Sequence, residues 1–139
     1  MTLEENKSVV IKMFQAINKQ DIDAVEELMR HDFVVHMQGK MQGWAASRKS
    51  LRDEFSAFPD LKVEVESIVA EGDMVCVRLN ETATHVGEYR GLTPTGRRLS
   101  YSVAGYWRLV NGRINEGWIV YDQLDFLTKL GVTNFHDFQ

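Results

Sequence analysis

The dipeptide Asn111-Gly112 constrains the fold of this chain more than any other feature of its sequence. It stands between two extended runs, residues 99–110 and 113–121, which are rich in the aromatic and β-branched residues typical of strands. Asn-Gly is the preferred dipeptide of a two-residue type I′ turn, because both of its residues tolerate a positive φ. The chain is therefore predicted to reverse direction here in a β-hairpin, with Val110 facing Arg113.

Pairing outward from this turn predicts which side chains share a face of the hairpin, because successive side chains of a strand point to opposite faces. One face is predicted to resemble the wall of a pocket, with two carboxylates, two indoles, a phenol and a glycine that leaves room beside Trp118. Its members are Glu116, Trp118, Val120 and Asp122 with Tyr101, Val103, Gly105 and Trp107. The members of the opposite face are Ser102, Ala104, Tyr106 and Arg108 with Gly117, Ile119 and Tyr121. The aromatic and aliphatic residues of this second face are too apolar for open water, which predicts a homodimer that buries them.

The N-terminal part of the chain carries helical periodicity. Thr2 and Glu5 have the spacing of a capping box, and apolar residues at positions i, i+3, i+4 and i+7 follow as far as Ile17. Asp21 is predicted to cap a second helix. The remaining predicted elements are a strand over 33–38, a third helix over 44–58, strands over 61–69 and 74–85, a long loop over 86–98, and a last helix after Asp122.

This order of elements predicts an α+β fold, in which a curved antiparallel sheet packs against the N-terminal helices. With 139 residues, of which 44% are hydrophobic, the chain has the size of a single domain over 1–139. Helices that cover only part of the concave side of the sheet leave an apolar cleft, the usual form of a small-molecule site.

Charge and cysteine content exclude several classes of partner. A formal net charge of −4 argues against a nucleic-acid partner or an anionic membrane surface. No stretch approaches the roughly 20 apolar residues of a membrane span, and no basic segment leads into an apolar one at the N-terminus. Cys76 is the single cysteine and lies in an apolar run, which predicts a buried thiol and a cytoplasmic location. The four histidines lack the spacing of metal ligands, so no metal site is expected.

Several polar residues have more than one interpretation. Asp122 lies where a strand passes into a helix, and a carboxylate there acts either as a general base or as a helix cap. His85 precedes the long loop, where it either donates to a substrate or anchors the loop. His36 is either a structural residue or a ligand contact. Arg78 interrupts an apolar strand and either reaches water, pairs with Glu116, or lines the pocket.

Several short motifs occur in an order that resembles one known family. They are Phe58-Pro59-Asp60-Leu61, Ala70-Glu71-Gly72-Asp73, the run from Thr84 to Tyr89, the run from Pro94 to Arg98, the residues Glu116, Trp118 and Asp122, and Lys129-Leu130-Gly131. Together they resemble the SnoaL-like polyketide cyclases of the nuclear transport factor 2-like superfamily. The resemblance extends over essentially the whole chain.

The resemblance implies a cone-shaped α+β barrel and an enzyme that closes a ring by intramolecular aldol condensation without a metal or an organic cofactor. It implies an acid/base role for Asp122, with His85 as the second catalytic candidate. The ligand is expected to be a small apolar or aromatic carbonyl compound. The residues expected around it are Trp118, Tyr101, Glu116, Arg78, His36 and Phe14.

The sequence departs from the family pattern at three positions, which keeps two alternatives open. Gly105 and Gly117 stand where many members carry polar or acidic residues, and Phe14 stands where relatives use a tyrosine. One alternative is a binding or interaction module that has lost the chemistry. The other is an isomerase or dehydratase of the ketosteroid isomerase type, for which Glu116 and Tyr101 are the partners expected opposite Asp122.

Overall fold

The computed structural model describes residues 1–138, which form one six-stranded sheet with helices packed against it. In chain order the elements are α1 (Leu3–Asn18), α2 (Ile22–Glu27), β1 (Met29–Met37), β2 (Lys40–Gly43), α3 (Trp44–Ala57), β3 (Lys62–Glu71), β4 (Met74–Thr84), β5 (Arg98–Val110), β6 (Arg113–Tyr121), α4 (Gln123–Leu130) and a short 3-10 helix (Phe135–Phe138). The order of strands across the sheet is β2-β1-β6-β5-β4-β3. The predicted α+β fold with a curved sheet is confirmed.

The first two helices begin at the predicted caps. The Thr2 side chain accepts a hydrogen bond from the Glu5 amide at 3.1 Å, and the Asp21 carboxylate accepts one from the Ala24 amide at 3.0 Å. Asn18 then ties the end of α1 to the edge strand β3, because its side chain donates to the Val63 carbonyl at 2.9 Å and accepts from the Val63 amide at 2.7 Å. These contacts hold the apolar face of α1 over the sheet.

The segment between the first strand and the third helix differs from the prediction of a loop. Residues 40–43 form the short strand β2, which pairs antiparallel with β1 through a two-residue turn at Gln38 and Gly39. Both turn residues have a positive φ, as a type I′ turn requires. Gln-Gly is a weaker turn signal than Asn-Gly, which is why the sequence did not reveal this hairpin. β1 also pairs in parallel with β6, whereas β3 to β6 are antiparallel as predicted.

The predicted register of the β5–β6 hairpin holds for only two pairs. Asn111 and Gly112 form the turn with positive φ, and Val110 faces Arg113 as expected. One residue further on, Asn115 is an extra residue in β6, since Ile114 pairs with Leu109 but the next pair joins Glu116 to Arg108. A one-residue bulge moves every later side chain to the other face. The predicted composition of the two faces is therefore wrong for β6 beyond residue 115.

Inward-facing side chains of the sheet and helices form the core. Val75 and Val77 are buried on the concave side of β4, and the intervening Cys76 is exposed on the outer side. The prediction of a buried thiol is wrong because alternation along the strand, rather than the apolar character of the run, decides which side chain is buried. Within residues 1–138, no helix combines the length and the apolar character needed to cross a membrane.

Candidate active site

A large cavity lies between the concave face of the sheet and the helices α1 and α3. Its volume is roughly 1080 Å³, at the upper end of the range for small-molecule sites. Most of its wall is apolar or aromatic, with contributions from Met13, Phe14, Phe33, Trp44, Val77, Leu79, Val103, Trp107, Ile119 and Phe126. The cavity accommodates a ligand of several fused rings.

Glu54 brings a carboxyl group into this cavity from α3. Ser47, Leu51 and Glu54 follow one another at four and three residues, so they share one face of the helix, and all three line the cavity. Leu51 is apolar, so Glu54 stands among packed side chains rather than on a solvated helix face.

Glu81 brings a second carboxyl group into the cavity from β4. It continues the inward-facing series of Val75, Val77 and Leu79, and it lines the cavity with the last two of them. On the neighbouring strand β5 its direct partner is Tyr101. Side chains of directly paired residues lie side by side on one face of a sheet, so this carboxyl and this phenol are neighbours.

The two carboxyl groups share an environment that favours their protonated forms. Burial raises the pKa of Glu54 from its ordinary value of 4.5 to about 7. Burial, together with the charge of Glu54, raises the pKa of Glu81 to about 8. Glu81 therefore holds its proton at a pH where Glu54 is already partly ionised, because the pKa of Glu81 is the higher of the two. The cavity therefore contains a proton donor and a proton acceptor at the same time.

Three tyrosine hydroxyls surround the same region, from Tyr89 in the long loop, Tyr101 in β5 and Tyr121 in β6. Burial is the main cause that raises the pKa of each phenol, and the charge of Glu54 raises all three further. The phenols therefore stay protonated and are hydrogen-bond donors. Phe126 packs edge-on against each of these rings, with ring centroids 4.9 to 6.0 Å apart.

Of the eight residues predicted as catalytic or ligand-contacting, the cavity brings together only two, although Val103, Gly105 and Trp107 of the predicted pocket face also line it. Tyr101 and Phe14 line it. Trp118 and Glu116 lie instead on the outer face of the sheet, because the bulge at Asn115 turns the even-numbered residues of β6 outward. His36 of β1 pairs with Trp118 and lies on the same outer face. There the His36 ring stacks on Trp118, which stacks on Tyr106, and His36 Nε2 lies 2.7 Å from a Glu116 carboxylate oxygen.

Arg78 also lies on the outer face and does not line the cavity. It alternates with the buried residues Val77 and Leu79, and its guanidinium donates to the Glu66 carboxylate on the neighbouring strand β3. The predicted partner Glu116 instead lies within 3.8 Å of Arg108. The expectation that Arg78 contacts a ligand in the cavity does not fit this placement.

Asp122 is exposed and acts as the cap of α4. Its carboxylate accepts a hydrogen bond from the Asp125 amide at 2.9 Å, and it is not among the residues that line the cavity. The structure supports the second of the two interpretations of Asp122, because this hydrogen bond is the contact that a helix cap requires. The acid/base role implied by the resemblance has no geometric support at this position.

His85 is fully buried and anchors the loop between β4 and β5. Its Nδ1 accepts a hydrogen bond from the Thr95 amide at 3.1 Å, so the ring proton lies on Nε2, and its backbone pairs with Gly96 and Arg97. Burial lowers the pKa of His85, which keeps the imidazole neutral. The ring packs against Phe58 and does not line the cavity, so its contacts match a loop anchor rather than a substrate donor.

Gly117 faces inward and makes room for a core tryptophan. It pairs with Trp107, and a Cβ atom added to Gly117 would lie 2.1 Å from Cζ3 of that indole. The space beside the glycine is therefore filled by an aromatic ring that packs over the strand, and it is not an opening in the site. The acidic groups that line the cavity are instead Glu54 and Glu81, which sequence reasoning missed.

The geometry defines a class of protein: a cone-shaped α+β barrel of the nuclear transport factor 2-like type, with two carboxyl groups in its cavity. The profile of the family described as SnoaL-like polyketide cyclase matches residues 8–130. The chain belongs to this family.

Solved structures support the same assignment. AclR, a candidate hydroxylase from Streptomyces galilaeus, is 35% identical, with a TM-score of 0.87 over 94% of this chain and 83% of AclR. IdmH, a candidate polyketide cyclase from Streptomyces antibioticus, is 28% identical, with a TM-score of 0.80 over 91% of this chain and 99% of IdmH. An LEH-like epoxide hydrolase of M. tuberculosis shares the fold at 20% identity, with a TM-score of 0.74 over 92% of this chain and 90% of that protein. A comparison with curated protein sequences gives no significant match.

Proposed function

We propose that this protein catalyses proton transfer at a carbonyl compound in its cavity, and that the reaction is a ring closure of the polyketide cyclase type. Glu54 and Glu81 act as the acid/base pair, in place of Asp122 and His85. One ionised carboxylate removes a proton next to a carbonyl group, and the protonated carboxyl returns a proton to the oxygen formed on attack at the second carbonyl. The intramolecular aldol step thus balances without a redox change or a cofactor.

The observation that carries this proposal is the placement of two carboxyl groups with raised pKa values in one apolar cavity. A carboxylate with a pKa near neutrality is a stronger base than one at its ordinary value, and it remains partly ionised at neutral pH. The phenols of Tyr101, Tyr121 and Tyr89 supply donors for the enolate oxygen that forms.

Deuterium exchange into a bicyclic ketone tests the proton-transfer step without knowledge of the natural substrate. The protein is incubated with 2-tetralone in D₂O, and loss of the proton signal next to the carbonyl is followed by NMR. We expect exchange above the buffer rate, with a bell-shaped pH profile whose limbs lie near pH 7 and 8, as the pKa values of the pair require.

Variants separate catalysis by the pair from general catalysis by the protein surface. Glu54→Gln and Glu81→Gln are each expected to lower the exchange rate by about 100-fold or more, the usual contribution of a positioned acid or base. Glu64→Gln is the matched control, because Glu64 is exposed on β3, pairs with Lys62 and does not line the cavity. Exchange that survives in both glutamate variants would refute the proposal.

Hydroxylation is a second candidate activity, favoured by the 35% identity to AclR. It would begin with the same removal of a proton beside a carbonyl group. The enolate would then add dioxygen to give a hydroperoxide, which an added reductant such as a thiol would convert into the alcohol and water by supplying two electrons and two protons. Oxygen uptake distinguishes the two reactions, because ring closure by aldol condensation consumes no oxygen. An oxygen electrode with the protein and a polycyclic ketone that is exchanged in D₂O provides the measurement.

We further propose that the outer face of the sheet forms a homodimer interface. Tyr106 and Val120 are exposed there, at 40% and 66% of their surfaces, beside the partly exposed Trp118. This face replaces the one expected from the sequence, since Ile119 and Tyr121 point into the cavity. Light scattering should give twice the mass of the chain, and Val120→Glu should shift the protein to monomer. A wild-type monomer at micromolar concentration would contradict this.

A further inference from the structure

Arg90 lies at the mouth of the cavity, in the loop between β4 and β5. It is exposed and lines the cavity beside Tyr89, and its guanidinium lies over the Phe138 ring at 5.4 Å from the centroid. Guanidinium groups stacked on an aromatic face keep their edge free for hydrogen bonding. One N–H group of this edge hydrogen-bonds to the Tyr89 hydroxyl, and the remaining N–H groups are available to a ligand that enters the cavity.

The backbone holds Arg90 in a conformation that costs free energy. Its φ is 48°, in the left-handed region that residues with a side chain rarely adopt. Paired hydrogen bonds between the backbones of Tyr89 and Leu92, at 3.0 and 2.8 Å, close the turn around it, and the Glu88 carboxylate accepts from the Gly91 amide at 2.7 Å. Strain of this kind concentrates at ligand sites, where the surrounding contacts maintain it.

The charge of Arg90 is not balanced by an ion pair in the part of the chain that is described. Within residues 1–138 no carboxylate lies within 4.0 Å of it, whereas Lys49 on another part of the rim pairs with Asp53 at 2.6 Å. Arg90 also lowers the pKa of Tyr89 and Tyr121, so its field reaches the phenols near the glutamate pair. A positive charge at the mouth and two acidic groups inside favour a ligand that places its anionic end at the mouth.

We propose that Arg90 binds a carboxylate of the substrate at the cavity mouth and thereby orients the carbonyl end of the molecule toward Glu54 and Glu81. The substrate class is an aromatic or polycyclic keto acid. A planar guanidinium matches a carboxylate in a bidentate pair, and the inner glutamates disfavour an anion deeper in the cavity. The orientation, but not the binding of the carboxylate, rests on the proposed acid/base function.

A pair of probes of the same shape tests the binding directly. 2-Naphthoate carries the carboxylate and 2-naphthamide is its neutral counterpart, and their dissociation constants are measured by isothermal titration calorimetry. The wild-type protein is expected to bind the acid at least about ten-fold more tightly, and Arg90→Gln to remove that preference while leaving affinity for the amide unchanged. Arg52→Gln, at an exposed arginine of α3, is the control and should behave as the wild type.

Three results overturn the proposal: equal affinity of the wild type for both probes, an equal loss for both probes in Arg90→Gln, or no binding of 2-naphthoate by the wild type. Thermal unfolding of each variant confirms that it is folded. The Glu81→Gln variant separates this inference from the proposed function, because it should abolish proton exchange and retain the preference for the acid. Loss of exchange activity alone therefore leaves the role of Arg90 intact, and loss of the preference alone leaves the acid/base pair intact.

Discussion

Replacement of Glu81 by glutamine is expected to stabilise the protein relative to the wild type at alkaline pH. At acidic pH the variant and the wild type are expected to have similar stability. Below its folded pKa the wild-type side chain is a neutral acid, which glutamine resembles in size and hydrogen bonding. Above it, the wild type must either hold a buried charge or unfold, whereas glutamine does not titrate. The folded wild type retains the proton between pH 4.5 and about 8, where the unfolded chain has released it. Its free energy of unfolding therefore falls as the pH rises through this window.

The size of the effect follows from the same pKa values. A pKa that rises from 4.5 to about 8 corresponds to at most about 5 kcal/mol against the ionised form. Part of this rise comes from the charge of Glu54, and water that enters the cavity stabilises the ionised form. We therefore expect the free energy of unfolding of Glu81→Gln to exceed that of the wild type by about 2 kcal/mol at alkaline pH. For a chain of 139 residues this difference corresponds to a Tm higher by roughly 6 °C at pH 9.

Urea unfolding followed by tryptophan fluorescence, at pH 5.5 and pH 9, measures the difference. The control variant is Glu27→Gln, at an exposed position that ends α2, which should follow the wild type at both pH values. Parallel pH dependence in Glu81→Gln and the wild type would refute the claim that Glu81 is held protonated by burial. A variant that is less stable at pH 9 than the wild type would refute it as well.

Three further perturbations test individual contacts. Asp122→Ala should cost about 1 kcal/mol of stability through loss of the α4 cap, Asp122→Asn should cost little, and both should retain proton exchange; loss of exchange in the well-folded asparagine variant would restore a catalytic role. Gly117→Ala should destabilise the protein by about 1 to 3 kcal/mol in chemical denaturation, because its methyl group meets Trp107, and Trp107→Phe should relieve part of that cost; additive effects of the two changes would disagree with the contact. His85→Ala should cost about 2 to 3 kcal/mol by thermal unfolding and leave exchange per folded molecule near the wild-type rate, since it removes a buried loop anchor; a catalytic loss without destabilisation would contradict this role.

The sequence predicted the elements better than the contacts between them. The caps at Thr2 and Asp21, the Asn111-Gly112 turn and the strand periodicities depend on neighbouring residues, so they were readable and are confirmed. The bulge at Asn115 depends on how β5 and β6 pair, and the residue type at that position does not predict it. Because one extra residue reverses a face, this single local event misplaced Trp118 and Glu116.

The two glutamates of the proposed acid/base pair are partly visible in the sequence. Glu81 interrupts an alternating series of apolar residues that starts at Val75, and a carboxylate on the apolar face of a strand is the signal that was overlooked. Glu54 gives a weaker signal, because the third helix has several polar residues and nothing in its local sequence sets this carboxylate apart from them. That these two residues share a cavity follows from the tertiary fold alone.

The extra residue at position 115 also bears on how members of this family diverge. A deletion there would restore simple alternation and exchange the two faces of β6, so that Trp118 would enter the cavity and Tyr121 would leave it. A one-codon deletion would thus alter the chemistry of the ligand cavity and the outer surface together, while every other residue stayed the same. An alignment along this strand transfers functional roles correctly only when the two proteins agree in having or in lacking the bulge.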